Sequence, residues 1–205
     1  YVARPLHDAF VARLVEKARA VRLNAPDITA GDIGPIIFDR QAEILQAQID
    51  EARAQGARVL TGGRVETLDG GLYLRPTVIA GATHAMAVMR DETFGPILPV
   101  MAFDDEDEAV RLANDSDYGL SGAVFGPDLA SAERVGRRLQ AGAISLNDAA
   151  LTTLFHEAGK QSFKASGLGP SRMGAEGLTR FLRRKALIAN TAAPTPLSAF
   201  AEDAG

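Results

Sequence analysis

Apolar residues recur at three- and four-residue steps from Leu6 through Phe10, Leu14 and Ala18 to Val21. That period marks one face of a helix. Asn24-Ala-Pro-Asp27 ends it, and a Gly34-Pro35 turn follows. A second helix is predicted from Asp39 to Gln55, with Ile44, Leu45, Ile49 and Ala52 on neighbouring faces and Gly56 placed as a C-terminal cap. Beyond it the period shortens. Ala57–Thr61, Leu72–Leu74 and Thr77–Ile79 read as strands, and Val88–Pro96 reads as a loop. Ile97–Phe103 is unbroken apolar sequence, which suits a strand buried on both faces. Asp104 and Asp105 open a helix that carries Val110 and Leu112 and ends at Asn114. Gly122–Phe125 is a strand, and Asp128 caps a helix carrying Ala132 and Val135 that Gly142 closes. Ala143–Leu146 is the next strand. Glycines break any period between Leu151 and Gly174, so that long segment is a candidate functional loop. Glu176–Lys185 reads as helix, Ala186–Asn190 as a short strand and 191–205 as a flexible tail.

Alternating strands and helices with short links predict an α/β protein with a doubly wound, mostly parallel sheet. Composition agrees: 46% of the 205 residues are hydrophobic and 23% charged, enough to build a core. The formal charge of −4 comes without a basic block, so nucleic acid is not an expected partner. No apolar run approaches bilayer length, so no membrane partner is expected. Cysteine is absent, which removes disulfides, thiolate metal sites and thiol nucleophiles together. It fits a reducing, cytoplasmic location. Three scattered histidines make no metal cluster, and His84 and His156 read as exposed loop residues. The chain starts at Tyr1 without Met or leader and so reads as the middle of a longer polypeptide.

Three segments could carry chemistry. Glu92 and Phe94 precede a Gly-Pro turn into a buried strand. In extended backbone they point the same way, a carboxylate for hydroxyls beside a ring for a ring. That pair suits the nicotinamide riboside of NAD or NADP; the alternative is a solvated Glu beside a core Phe. Lys164-Ala-Ser-Gly-Leu-Gly169 with Ser171-Arg-Met-Gly174 is either a phosphate cradle or a tight structural loop, and its spacing favours the loop. Asn147 ends a strand, where open α/β sheets place ligands; alternatively it bonds its own loop backbone. Lys160 and Lys164 read as solvated cations.

In order and spacing these pieces resemble the aldehyde dehydrogenase superfamily. The matching stretches are Gly34-Pro35, Gly56-Ala57 with Gly62-Gly63, Leu74-Arg-Pro-Thr-Val78, Glu92-Thr-Phe-Gly-Pro96, Leu112-Ala-Asn-Asp-Ser-Asp-Tyr-Gly-Leu120, Ala141-Gly142 with Asn147, and Lys164–Gly169. The resemblance implies that residues 1–185 are part of a catalytic domain and that 186–190 add to a partner's sheet in a dimer or tetramer. It implies that Glu92 binds the ribose hydroxyls of NAD or NADP, that Phe94 packs near the nicotinamide, and that Asn147 and Phe155 lie at the entrance for a small aldehyde. It implies oxidation to a carboxylic acid through a Cys thiohemiacetal and thioester. The Cys, the general-base Glu and the oxyanion Asn are expected upstream of Tyr1, so this chain alone is expected to be inactive, to expose an apolar face and to self-associate. Where the family often has Pro-Phe-Gly-Gly, this chain has His156-Glu-Ala-Gly-Lys-Gln-Ser-Phe163, which suggests a subgroup with its own aldehyde. Two other roles fit the same residues: a non-catalytic remnant kept as an oligomerisation module, and a CoA-acylating relative.

Overall fold

A computed structural model describes residues 1–155, 157–169, 174, 176–179 and 181–189. The elements run β1 (Val2–Ala3), α1 (Arg4–Ala20), α2 (Asp39–Ala54), β2 (Arg58–Val59), β3 (Val65–Leu68), β4 (Gly71–Leu74), β5 (Thr77–Ala80), α3 (Ala87–Arg90) and β6 (Ile97–Val100). They continue with β7 (Ala102–Phe103), α4 (Glu106–Asn114), β8 (Tyr118–Gly119), β9 (Gly122–Val124), α5 (Leu129–Gly136), β10 (Ile144–Leu146), α6 (Leu151–Leu154), β11 (Phe163–Lys164) and α7 (Glu176–Thr179).

The architecture is mixed α/β, with its main core between α2 and the β5–β6 pair. Leu45, Ile49 and Ala52 of α2 are fully buried against Leu74, Ile79, Met86 and Ile97. Each buried Leu or Ile there stabilises the fold by roughly 1.5–3 kcal/mol. On a second side, Val11 of α1 packs with Ala80 and Val100, flanked by the half-buried Leu14 and Val15. Helices α4 and α5 start where capping chemistry dictates. The carboxylates of Asp105 and Asp128 accept from the backbone N–H of Glu108 and Ser131, each at 2.8 Å. Gly56 follows α2 at φ +91°, a conformation that glycine adopts without strain.

The expected doubly wound sheet is, among the described residues, divided into five small sheets. Parallel pairs join β5 to β6, β9 to β10 and β1 to β7. Helix α3 lies between β5 and β6 in the chain, and α5 between β9 and β10, so the strand–helix–strand logic holds locally. The ladders stay short because the chain breaks them. The Ile97–Phe103 run splits at Met101 into β6 and β7. Nor is that run buried on both faces: Leu98 is exposed, and Pro99 has no N–H to offer another strand. One hairpin went unanticipated: β3 and β4 pair antiparallel around Asp69-Gly70, both at positive φ.

Three further expectations change. The 88–96 loop begins with the helical turn α3. The helix expected to run from Glu176 to Lys185 ends as α7 at Thr179. Residues 186–189 form no strand within the described chain, and Leu187 and Ile188 stand out almost fully exposed. His156, Pro170 to Met173, Asn190 and the expected tail at 191–205 lie outside the described residues. Among the described residues, no helix is long and apolar enough to cross a membrane.

Candidate functional site

The loop between α3 and β6 is pinned at both ends. Asp91 N–H donates to Ala87 O at 2.8 Å, and Thr77 N–H donates to Pro96 O at 2.8 Å. In the middle, the Gln41 side-chain amide of α2 donates to Thr93 O at 2.7 Å. Gly95 lies against the core: a Cβ there would meet Leu45 Cδ2 at 2.6 Å, and Leu45 is fully buried. Phe94 is therefore held between fixed neighbours, and its φ is +46°. A left-handed backbone is costly for a bulky residue. It also breaks the strand-like alternation, so Glu92 and Phe94 are not two successive residues on one face of an extended segment. What it achieves is display. Phe94 is 79% exposed, and Glu92 is exposed two residues earlier. The reading of Phe94 as a core residue fails.

The ring forms one edge of an open cleft of about 550 Å³. The Ile33–Phe38 segment, Gln41 and Leu74 line the same cleft. That segment is tied down by Ile36 N–H donating to Leu72 O and by Asn24 N–H donating to Ile33 O at 2.9 Å, with Asn24 Oδ1 in turn accepting from the Tyr73 hydroxyl at 3.1 Å. Behind it, the Arg22 guanidinium bonds Asp32 and holds its carboxyl below the usual carboxylate range. Ile37 is fully exposed and Phe38 largely so, making the cleft an apolar surface with few polar groups. A second, more polar cavity of about 370 Å³ is lined by Arg4, His7 and Asp8.

Asn147 and Phe155 sit on another ladder. Asn147 follows β10 at φ +52°, and its Oδ1 accepts from Gly126 N–H at 2.7 Å. It therefore staples the loop after β10 to the loop after β9, close to the backbone-bonding alternative. Phe155 ends α6 and is exposed. The buried Ser145 of β10 steadies that helix through its hydroxyl, which accepts from Thr152 N–H at 3.2 Å. No hydrogen bond between described residues links the Glu92–Phe94 loop directly to the Asn147–Phe155 segment. The glycine-rich stretch behaves as a structural loop where it is described: Ser162 N–H donates to Gly169 O, and Ser166 Oγ accepts from Gly119 N–H. Ser171, Arg172 and Met173 fall outside the described residues.

Pattern reading missed several polar residues. His84 is not an exposed loop histidine: its Nδ1 lies 3.0 Å from the Tyr1 hydroxyl and its Nε2 3.0 Å from Asp115. Burial and the Asp115 charge push the Tyr1 phenol above its usual range. Lys160 and Lys164 both donate to backbone carbonyls. No local signal foretells these contacts, whose partners are up to 83 positions apart. No cluster of metal-ligating side chains occurs among the described residues.

Comparisons with known proteins agree on one family. The model described as "Aldehyde dehydrogenase family" matches residues 1–187. A betaine aldehyde dehydrogenase of Cereibacter sphaeroides is 40% identical over 169 residues, which are 82% of this chain and 34% of that protein. The solved PutA protein of Anabaena variabilis superposes with a TM-score of 0.90 at 49% identity, over 96% of this chain and 42% of that one. Betaine aldehyde dehydrogenase of Staphylococcus aureus, solved in complex with NAD+, gives 0.84 at 33% identity, over 98% of this chain and 40% of that one. The chain thus spans about a third of the length of the curated relative and about two fifths of these solved structures.

Proposed function

The chain belongs to the aldehyde dehydrogenase family over residues 1–187, and from that premise we propose that it furnishes one wall of an NAD(P)-dependent site oxidising an aldehyde to a carboxylic acid. The observation that carries this reading is the display of Phe94: a large ring held out on left-handed backbone at the lip of an apolar cleft, instead of being buried.

The residues present suit a nicotinamide cofactor. Glu92 offers carboxylate oxygens to ribose hydroxyls, and Phe94 offers a ring face to the nicotinamide. Bound there, the cofactor would supply the hydride acceptor. The work of this chain is to orient and shield it. Gln41 and Gly95 hold the loop, Phe94 keeps water from one side of the ring, and Asn147 shapes the loop that leads to Phe155 at the aldehyde's entrance. Such positioning can be worth several kcal/mol. The family's thiol chemistry needs a cysteine, and these 205 residues contain none. The purified chain is therefore expected to show no NAD(P)-dependent oxidation of betaine aldehyde, the substrate named by its relatives, in a steady-state absorbance assay at 340 nm.

The cofactor reading is tested with nicotinamide mononucleotide and chain labelled with 4-fluorophenylalanine. The Phe94 fluorine resonance is expected to shift on titration, and Glu92→Gln is expected to weaken the response. A Phe94 resonance that stays put while the ligand perturbs other rings, or none, overturns it.

A second reading rests on the C-terminal segment. Leu187 and Ile188 are 87% and 93% exposed and pair with no strand among the described residues. Residues 186–190 would then add to a partner's sheet and give a dimer or tetramer. That role stands even if the chain serves only as an association module.

A further inference from the structure

Segments far apart in sequence converge on the C-terminal end of α4. The last turn of a helix leaves carbonyls without partners inside the helix. Here side chains from elsewhere take them. Lys164 Nζ of β11 donates to Asn114 O at 2.6 Å and to Ser116 O at 2.9 Å. His84 Nε2, from the loop after β5, lies 3.0 Å from both the carbonyl and the carboxylate of Asp115. Asp115 offers only acceptors there, so Nε2 carries the proton and Nδ1 accepts from the Tyr1 hydroxyl at 3.0 Å. The Lys164 ammonium at this end of the helix is also favoured by the helix dipole.

Each donor leads on to one half of the candidate site. From His84 the chain passes through the buried Met86 and the turn α3 straight into Glu92 and Phe94. From Lys164 the chain runs back four residues to Lys160, whose Nζ donates to Thr152 O in α6, the helix that ends at Phe155. Strand β11 is attached to the segment just beyond α4. It pairs with β8, Ala165 N–H donates to Asp117 O at 2.9 Å, and Gly119 N–H donates to Ser166 Oγ. Two loops with no direct hydrogen bond to each other therefore share one anchor.

We propose that His84 and Lys164 are positioning residues that hold the Glu92–Phe94 loop and the Asn147–Phe155 segment in fixed relation through the α4 C-terminus. The proposal rests on the reading above that these two segments, the cofactor loop and the entrance loop, serve one site. It differs from a plain stabilising role in its reach, because loss of either donor should be felt at both segments.

The test uses the full chain with 4-fluorophenylalanine and no ligand. Phe94, Phe155 and, as control, Phe10 of α1 are assigned by single Phe→Leu replacements. Lys164→Met keeps the stem and removes the donor; Lys164→Arg restores a donor. Lys164→Met is expected to shift both the Phe94 and the Phe155 resonances by more than a linewidth and to leave Phe10 in place. Lys164→Arg is expected to return both towards the parent. His84→Gln is the second arm, with the same pair of shifts expected. A folded variant in which only the ring on the mutated side moves, or neither, overturns the shared anchor. If Lys164→Met does not fold, the His84→Gln arm decides by the same readings. Nicotinamide mononucleotide is absent throughout, so failure here and failure of the cofactor reading are separate results.

Discussion

Gly95 is the residue on which the displayed ring most directly depends. Its missing side chain lets the loop lie on Leu45, and a methyl group would sit 2.6 Å from Leu45 Cδ2. Gly95→Ala should therefore destabilise the chain by about 1–3 kcal/mol, the usual range for overpacking, read from the urea midpoint. The same variant should move the Phe94 ring, because the loop must lift to make room. At this scale the sequence was partly legible. Glu92 and Phe94 drew attention through their residue types ahead of a Gly-Pro turn, and both are exposed. The left-handed backbone at Phe94 could not be read, since φ there is imposed by Gln41 and Leu45, residues about fifty positions away. For Asn147 the bond from Gly126 N–H accounts for its Oδ1, close to the backbone-bonding alternative.

Elements were most legible where capping and period spoke together. Helices α4 and α5 start next to their predicted positions because Asp105 and Asp128 cap as acids at a helix N-terminus should, and α2 starts at Asp39 as its period predicts, without a side-chain cap. The bonds from the Ser131 backbone N–H and hydroxyl hold the Asp128 carboxyl below its usual range. Its folded value lies under its unfolded value near pH 4, so its contribution is complete above that pH. It is lost as acid brings the pH down through the folded value. Asp128→Asn should accordingly flatten the acid limb of helicity against pH, measured by circular dichroism at 222 nm relative to the parent. A steeper acid limb in the variant would contradict this. Strands were less legible. The Asp69-Gly70 pair signals a hairpin plainly, but Val65–Leu68 alternates weakly and draws no notice. The Ile97–Phe103 run looked continuous because hydropathy does not register the break at Met101.

At the scale of the whole molecule, order and spacing of short pieces identified the family, and the family model over residues 1–187 bears it out. The single doubly wound sheet was not legible, because ladder length depends on partners that no local pattern names. Exposed apolar residues govern behaviour in solution: Leu6, Phe10, Ile37, Phe38, Leu187 and Ile188 all face outward. Surfaces of that kind associate. Static light scattering should give a mass that rises with concentration, and the pair Leu187→Asp and Ile188→Asp should lower it. A constant monomer mass across a wide concentration range would contradict this.

One consequence reaches beyond any single assay. Because the ring-bearing loop rests directly on Leu45, the interior and the cleft share a wall. Ligand preference could then drift through exchanges at position 45 that never see solvent, and a library confined to cleft-lining codons would overlook them.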